Sequence, residues 1–157
     1  MVHRHFTLDQ ANALVPKFEA SMQRALQLHA MLSQKARELA DAGCTLDHSI
    51  LTGGKPVPTP EGAQTAMDQA RMIYEAIVEE VGATHALGGE VKSIAQGLVD
   101  VRSYLDGETE VLLCWKLGER RIAHFHALDT GFDERKPIIG HLFDSKPRHP
   151  ESQREPP

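Results

Sequence analysis

The chain has 157 residues, of which 41% are hydrophobic and 25% charged, with a formal net charge of -5 and an isoelectric point near 6.0. This length suits one hydrophobic core, and the composition is that of a globular protein. The negative net charge argues against a surface built for phosphate backbones, so we expect neither nucleic acid nor an anionic membrane as a partner.

The apolar segments are short, and the run at residues 111–115 is far below the roughly 20 residues that a membrane helix needs. The first five residues lead into no signal-peptide core. The two cysteines, Cys44 and Cys114, are too few and too far apart for a disulfide framework or a zinc knuckle, so we interpret both as free thiols. These features together predict a cytoplasmic protein.

The first predicted element is a long helix over about residues 8–42. Thr7 and Gln10 have the spacing of a capping box at its start, and Gly43 is placed to end it. Pro16 has no N–H to donate, so the first turns form either a separate short helix or the first arm of a kinked one. Apolar and small residues recur at helical spacing and predict one buried stripe: Val15, Phe18, Met22, Ala25, Leu32, Ala36 and Leu39.

A second helix is predicted over about residues 60–82, opening at Pro60 after the cap Thr59 and ending at Gly82. Residues 44–59 before it are rich in Gly and Pro and indicate a mobile surface connection. The second helix also carries an apolar stripe: Ala66, Met67, Ala70, Ile73, Tyr74, Ile77 and Val81. Each helix can bury the stripe of the other, so we predict an antiparallel hairpin.

The remaining residues predict a small antiparallel sheet of about three strands over about residues 98–126. Residues 109–116 are apolar on both faces, as expected of the central strand. The fold class is therefore α+β, with the sheet packed on the hairpin in a single domain of residues 1–143. Residues 144–157 hold four of the nine prolines, and we expect a disordered tail.

The strand at residues 122–126 places His124 and His126 on one face, because side chains two apart in a strand point the same way. Two histidines with one carboxylate, from Glu119 or Asp129, could bind Zn or Fe. The alternative is one solvent-facing histidine and one core histidine that donates to a backbone carbonyl.

His29 interrupts the first helical stripe between Ala25 and Leu32, so we expect it to be partly buried. Its partner could be a carboxylate on the second helix, a water molecule, or a metal shared with the strand histidines. The alternative is a core histidine with ordinary hydrogen-bond partners or one at the frayed edge of the helix contact.

Four further polar residues could form one pocket. If Asp100, Glu119, His126 and Arg135 converged, they would offer a base, an acid and an anion-binding guanidinium. A surface set of salt bridges is the alternative. No serine stands next to a plausible His and Asp in a known arrangement, so covalent hydrolase chemistry is unsupported. The sequence leaves open whether the protein is an enzyme and leans against it.

Three sequence runs, at residues 6–16, 97–100 and 113–119, together with positions up to Pro137, resemble the bacterial domain-of-unknown-function family 2203. The resemblance covers about residues 5–139 and implies a helical hairpin with a small sheet, but no activity. On this chain the family motif falls on Asp100, Trp115, Gly118, Glu119, His126, Gly131, Phe132 and Arg135. The binding candidates are Asp100, Trp115, Glu119, His126 and Arg135.

Three hypotheses for function follow. The first is a non-catalytic interaction or structural module that self-associates through the hairpin, with a dimer favoured, or binds another protein. The second is a protein that binds a metal or a small anion through the His, Glu and Arg residues of the sheet. The third is a small-molecule enzyme with acid–base chemistry at the same residues.

Overall fold

The structure, a computed structural model, describes residues 3–52 and 59–148. Helix α1 spans Leu8–Asp41 and begins with the predicted capping box, in which the Gln10 N–H donates to Thr7 Oγ1 over 3.1 Å. The helix continues through Pro16, so of the two predicted alternatives the first turns belong to the long helix and do not form a separate short one. Burial of Val15 and Phe18 on either side of the proline outweighs the one backbone hydrogen bond that it removes.

Helix α3 spans Gln64–Ala86, so it begins and ends later than predicted. Gly82 lies inside the helix, and the chain turns at Gly88, whose φ of 101° suits glycine and where a side chain would collide with the ring of Phe6. The short helix α2, His48–Leu51, lies within the predicted loop and buries Ile50. Residues 53–58 of that loop lie outside the described residues.

The two long helices run antiparallel, since Arg24 of α1 pairs with Glu80 of α3 at 2.6 Å and Leu39 shares a hydrophobic cluster with Met67. Cys44 and Ile50 also belong to that cluster. The part of the helical stripe beyond the sheet is therefore buried by residues of the same chain. Within the described ranges, no helix combines the length and the hydropathy that a membrane span requires.

The sheet follows the hairpin and is antiparallel throughout. Its strands are β1 (Gly89–Ser93), β2 (Leu98–Leu105), β3 (Thr109–Lys116), β4 (His124–Ala127), β5 (Lys136–Pro137) and β6 (Phe143–Asp144). They lie in the order β1-β2-β3-β4-β5, with β6 beside β2. The sheet has six strands among the described residues, so the prediction of about three is wrong. The strands β5 and β6 are too short to show alternation in the sequence, and β1 begins at a glycine pair.

The strand β3 is central and has the predicted bounds. Val111, Leu113 and Trp115 of this strand belong to the main core together with Phe18 of α1, whereas its even-numbered residues face away from the helices. The tail does not begin at Asp144 as predicted, since Asp144 lies in β6 and the Arg148 N–H donates to Gly107 O over 2.9 Å. Residues 149–157 of the predicted tail lie outside the described residues.

Candidate functional site

The candidate site lies on the face of the sheet that the helices leave uncovered. Asp100 on β2 is the cross-strand partner of Cys114 on β3, and His126 approaches them from β4. All three residues are buried, and one ligand atom from each lies within 4.8 Å of the other two. Three neighbouring strands therefore bring an oxygen, a sulfur and a nitrogen ligand to one point.

Hydrogen bonds fix the orientation of the His126 ring. Its Nδ1 lies 2.8 Å from the carbonyl oxygen of Ala127, which can only accept, so Nδ1 carries a hydrogen. Its Nε2 lies 3.0 Å from Asp100 Oδ2. That contact holds one proton, either on the imidazole or on the carboxyl group. The hydrogen bond from Nδ1 agrees with the predicted alternative of a core histidine that donates to a backbone carbonyl.

Burial governs the ionisation of the two acidic groups. It raises the pKa of Asp100, and the opposing effect of His126 is smaller. It also raises the pKa of the Cys114 thiol to about 12, with a further contribution from the nearby charge of Asp100. Without a cation beside it, Cys114 is therefore a thiol near neutral pH and a poor nucleophile.

A cavity of about 170 Å³ opens over the three residues. Asp100, Cys114 and His126 lie in its lining, so a group bound to them is reachable from the cavity. The rest of the wall is mostly apolar, with a few polar groups: Lys92, Leu98, Leu112, Leu128, Thr130, Gly131 and Phe132.

A chain of contacts holds Phe132 at the wall of this cavity. The Arg135 guanidinium carbon lies 4.1 Å from the centre of the Phe132 ring, and Arg135 Nη1 lies 3.1 Å from Glu119 Oε1. The same Glu119 oxygen accepts from the Lys116 N–H over 2.8 Å, and the Glu119 carbonyl accepts from the Trp115 indole. Glu119 and Arg135 thus support the cavity wall, whereas Asp100 and His126 face the cavity itself.

The other predicted ligands do not join the three-residue group. His124 has its Nδ1 3.9 Å from Glu119 Oε2, beyond hydrogen-bond distance, and Asp129 is exposed. His29 is partly buried on α1, the helix that covers the opposite face of the sheet. Trp115 also lies on that opposite face, fully buried in the core. Among residues 3–52 and 59–148, Asp100, Cys114 and His126 are the one group of three potential ligands.

Cys114 is the site residue that the sequence reasoning missed. Its position in the central strand was predicted, as was the strand that contains Asp100. The sequence does not give the register between β2 and β3. A shift of β3 by one residue relative to β2 would place Cys114 opposite a core residue and not opposite Asp100.

Comparison with curated proteins found no match, and neither did comparison with solved structures. A family model matches residues 4–138, and its description is an uncharacterized conserved protein, DUF2203. Within the matched range, the structure places Asp100, His126, Gly131 and Phe132 in the lining of one cavity, with Glu119 and Arg135 in support. The match covers most of the chain, which therefore belongs to the DUF2203 family of uncharacterized conserved proteins.

Proposed function

We propose that this protein binds one divalent transition-metal ion through Asp100, Cys114 and His126, with an open coordination position facing the cavity. The observation that carries the proposal is the approach of three different ligand atoms to within 4.8 Å in a buried group. Two ligands of a tetrahedral zinc ion lie about 3.5 Å apart, given bond lengths of about 2.0–2.3 Å. We expect small rotations of the three side chains to close the remaining difference when the metal binds.

The hydrogen bond from His126 to the Ala127 carbonyl supports this assignment. A metal-binding histidine usually donates its second ring N–H to a carbonyl or carboxylate, which fixes the ring and leaves the other nitrogen to bind the metal. His126 Nδ1 has such a partner at 2.8 Å. Its Nε2 is therefore the nitrogen available to a metal, and that atom already faces Asp100.

The charges of the site also favour a cation. Burial raises the pKa of both Asp100 and Cys114, and the smaller opposing effects of nearby cations do not fully compensate their negative forms. A divalent cation supplies the remaining positive charge and deprotonates a coordinating thiol. A set of one carboxylate, one thiolate and one imidazole suits Zn or Fe, and three protein ligands leave a position for water or a small ligand.

Metal content of protein purified without a histidine tag tests the proposal. After dialysis against zinc and then metal-free buffer, we expect about one zinc ion per chain, and a strong loss in Cys114→Ala and His126→Ala. Cys44→Ala and His124→Gln are matched controls, because they remove a buried thiol and a strand histidine outside the group. A wild-type protein that retains no Zn, Fe, Mn or Ni contradicts the proposal.

Self-association through the helical hairpin is the second candidate, with a dimer favoured over binding to another protein. The two long helices expose Met31, Met72 and Val78, whose exposed fractions are 51%, 69% and 50%. Covering large exposed apolar side chains with a second surface lowers the free energy. Light scattering at micromolar concentration is expected to give the mass of a dimer. Met72→Glu should shift the measured mass toward that of the monomer. A wild-type protein that is strictly monomeric would contradict this candidate.

A further inference from the structure

We propose, resting on the metal site above, that the cavity binds the carboxylate of a small organic acid. The carboxylate takes the open position of the metal, Lys92 balances its charge, and the apolar part of the acid packs against Leu128 and Phe132. The geometry that carries this proposal is one cavity of about 170 Å³ whose lining contains the three proposed metal ligands, the Lys92 side chain and several apolar side chains.

The charges of the site match a ligand with one negative charge. The Asp100 carboxylate and a Cys114 thiolate together neutralise a divalent ion, and Lys92 then adds one positive charge at the cavity. A monovalent anion at the open position brings the sum of these charges to zero.

Lys92 is available for this role although it has a partner. Its Nζ lies 3.4 Å from Glu90 Oε1, and 44% of its side chain is exposed. Glu90 has a second and closer cation, since Arg102 Nε lies 2.9 Å from its Oε2. Glu90 therefore keeps an ion pair with Arg102, which Glu110 shares at 2.9 Å, when Lys92 turns toward a ligand.

The wall of the cavity favours a carboxylate over a phosphate. A phosphate dianion is usually held by several cationic or N–H donors. Here the side-chain donors are Lys92 and Thr130, and the Thr130 hydroxyl already donates to the Ala127 carbonyl over 3.2 Å. Leu98, Leu112 and Phe132 offer only apolar surface, which suits the hydrocarbon part of an acid.

Titration of the cobalt-loaded protein tests this inference. Cobalt(II) replaces zinc and has a visible spectrum that changes when a ligand enters its coordination sphere. Propionate is expected to change that spectrum in the millimolar range, and propionamide, which has the same body without the charge, is not. Lys92→Met should weaken propionate about tenfold, as expected from loss of one nearby charge; Lys136→Met, an exposed lysine on β5, is the control.

The outcomes separate this inference from the metal proposal. A protein that binds cobalt through Cys114, but whose spectrum propionate does not change, overturns the carboxylate inference alone. Equal binding of propionate and propionamide also overturns it, as does an unchanged affinity in Lys92→Met. A protein that binds no cobalt overturns both proposals.

Discussion

Asp100 and Cys114 lie directly opposite each other on β2 and β3, and a carboxylate oxygen of Asp100 lies within 4.8 Å of the Cys114 sulfur. This pairing is unusual in a buried position, because both groups are acidic and an unpaired negative charge there is costly. His126 completes the arrangement from the next strand, 3.0 Å from Asp100. Four predictions follow from these contacts and from the polar groups around them.

Metal affinity is expected to rise with pH. Burial raises the pKa of Cys114 to about 12, so the thiol holds its proton across the neutral range and must release it to bind a metal. The proton between His126 and Asp100 must also leave, because the metal takes both atoms. We expect release of two protons per metal ion, measured by calorimetry in buffers of different ionisation enthalpy. An affinity that is independent of pH would contradict the assignment.

The Asp100–His126 contact is expected to stabilise the metal-free fold. Asp100→Ala leaves the buried Nε2 of His126 without its partner, which costs about 1–3 kcal/mol of the free energy of unfolding. His126→Ala leaves Asp100 without its partner. In the double variant, the free energy of unfolding should fall by about 1 kcal/mol less than the sum of the losses in the two single variants. Urea denaturation of the four proteins measures this coupling. Additive losses would show that the two side chains do not interact.

Glu119→Ala is expected to loosen the wall of the cavity as well as the turn after β3. It removes the acceptor of the part-buried Lys116 N–H and the ion-pair partner of Arg135, at a cost of about 1–2 kcal/mol in the free energy of unfolding. Phe132 loses its support through Arg135, so ligand binding at the cavity should weaken too. Glu134→Ala, an exposed carboxylate in the adjacent turn, is the control and should change neither quantity.

Glu110 is expected to contribute stability that acid removes. Hydrogen bonds from Arg102 and then His5 lower the pKa of Glu110 below its ordinary value. A carboxyl group with a lowered pKa stabilises the fold above its unfolded pKa of about 4.3, and that stability is lost as the pH falls through the folded value.

The corresponding variant is Glu110→Gln. Because 32% of the Glu110 side chain is exposed, we expect a loss of at most about 1 kcal/mol at pH 7. The difference between wild type and variant should shrink as the pH is lowered, measured by thermal unfolding from pH 7 to about 3. A difference that grows in acid would contradict the role of Arg102 and His5.

Strong periodic signals in the sequence predicted much of the fold. The capping box of Thr7 marked the start of α1, and the double apolar pattern of β3 marked a central strand with its observed bounds. Gly82 misled the prediction because packing of the α3 stripe continues past it and Gly88 supplies the turn. The two-residue strands β5 and β6 exist only because neighbouring strands offer them hydrogen bonds, so no local pattern announces them.

The sequence predicted two of the three residues of the candidate site. Asp100 and His126 were both named, yet the sequence offered no distance between strands. Cys114 is interpreted from the sequence as a free thiol because the two cysteines have neither the number nor the spacing of a disulfide framework or a zinc knuckle. The group depends on the register of three strands, which is a property of the folded sheet.

The measurement that tests the metal proposal most directly is the absorption spectrum of the protein titrated with cobalt(II). A thiolate bound to cobalt gives a charge-transfer band in the near ultraviolet that adventitious binding to surface histidines lacks. We predict that this band grows to one equivalent of cobalt, is absent in Cys114→Ala and persists in Cys44→Ala. A titration of the wild-type protein without this band would contradict a metal site at Asp100, Cys114 and His126.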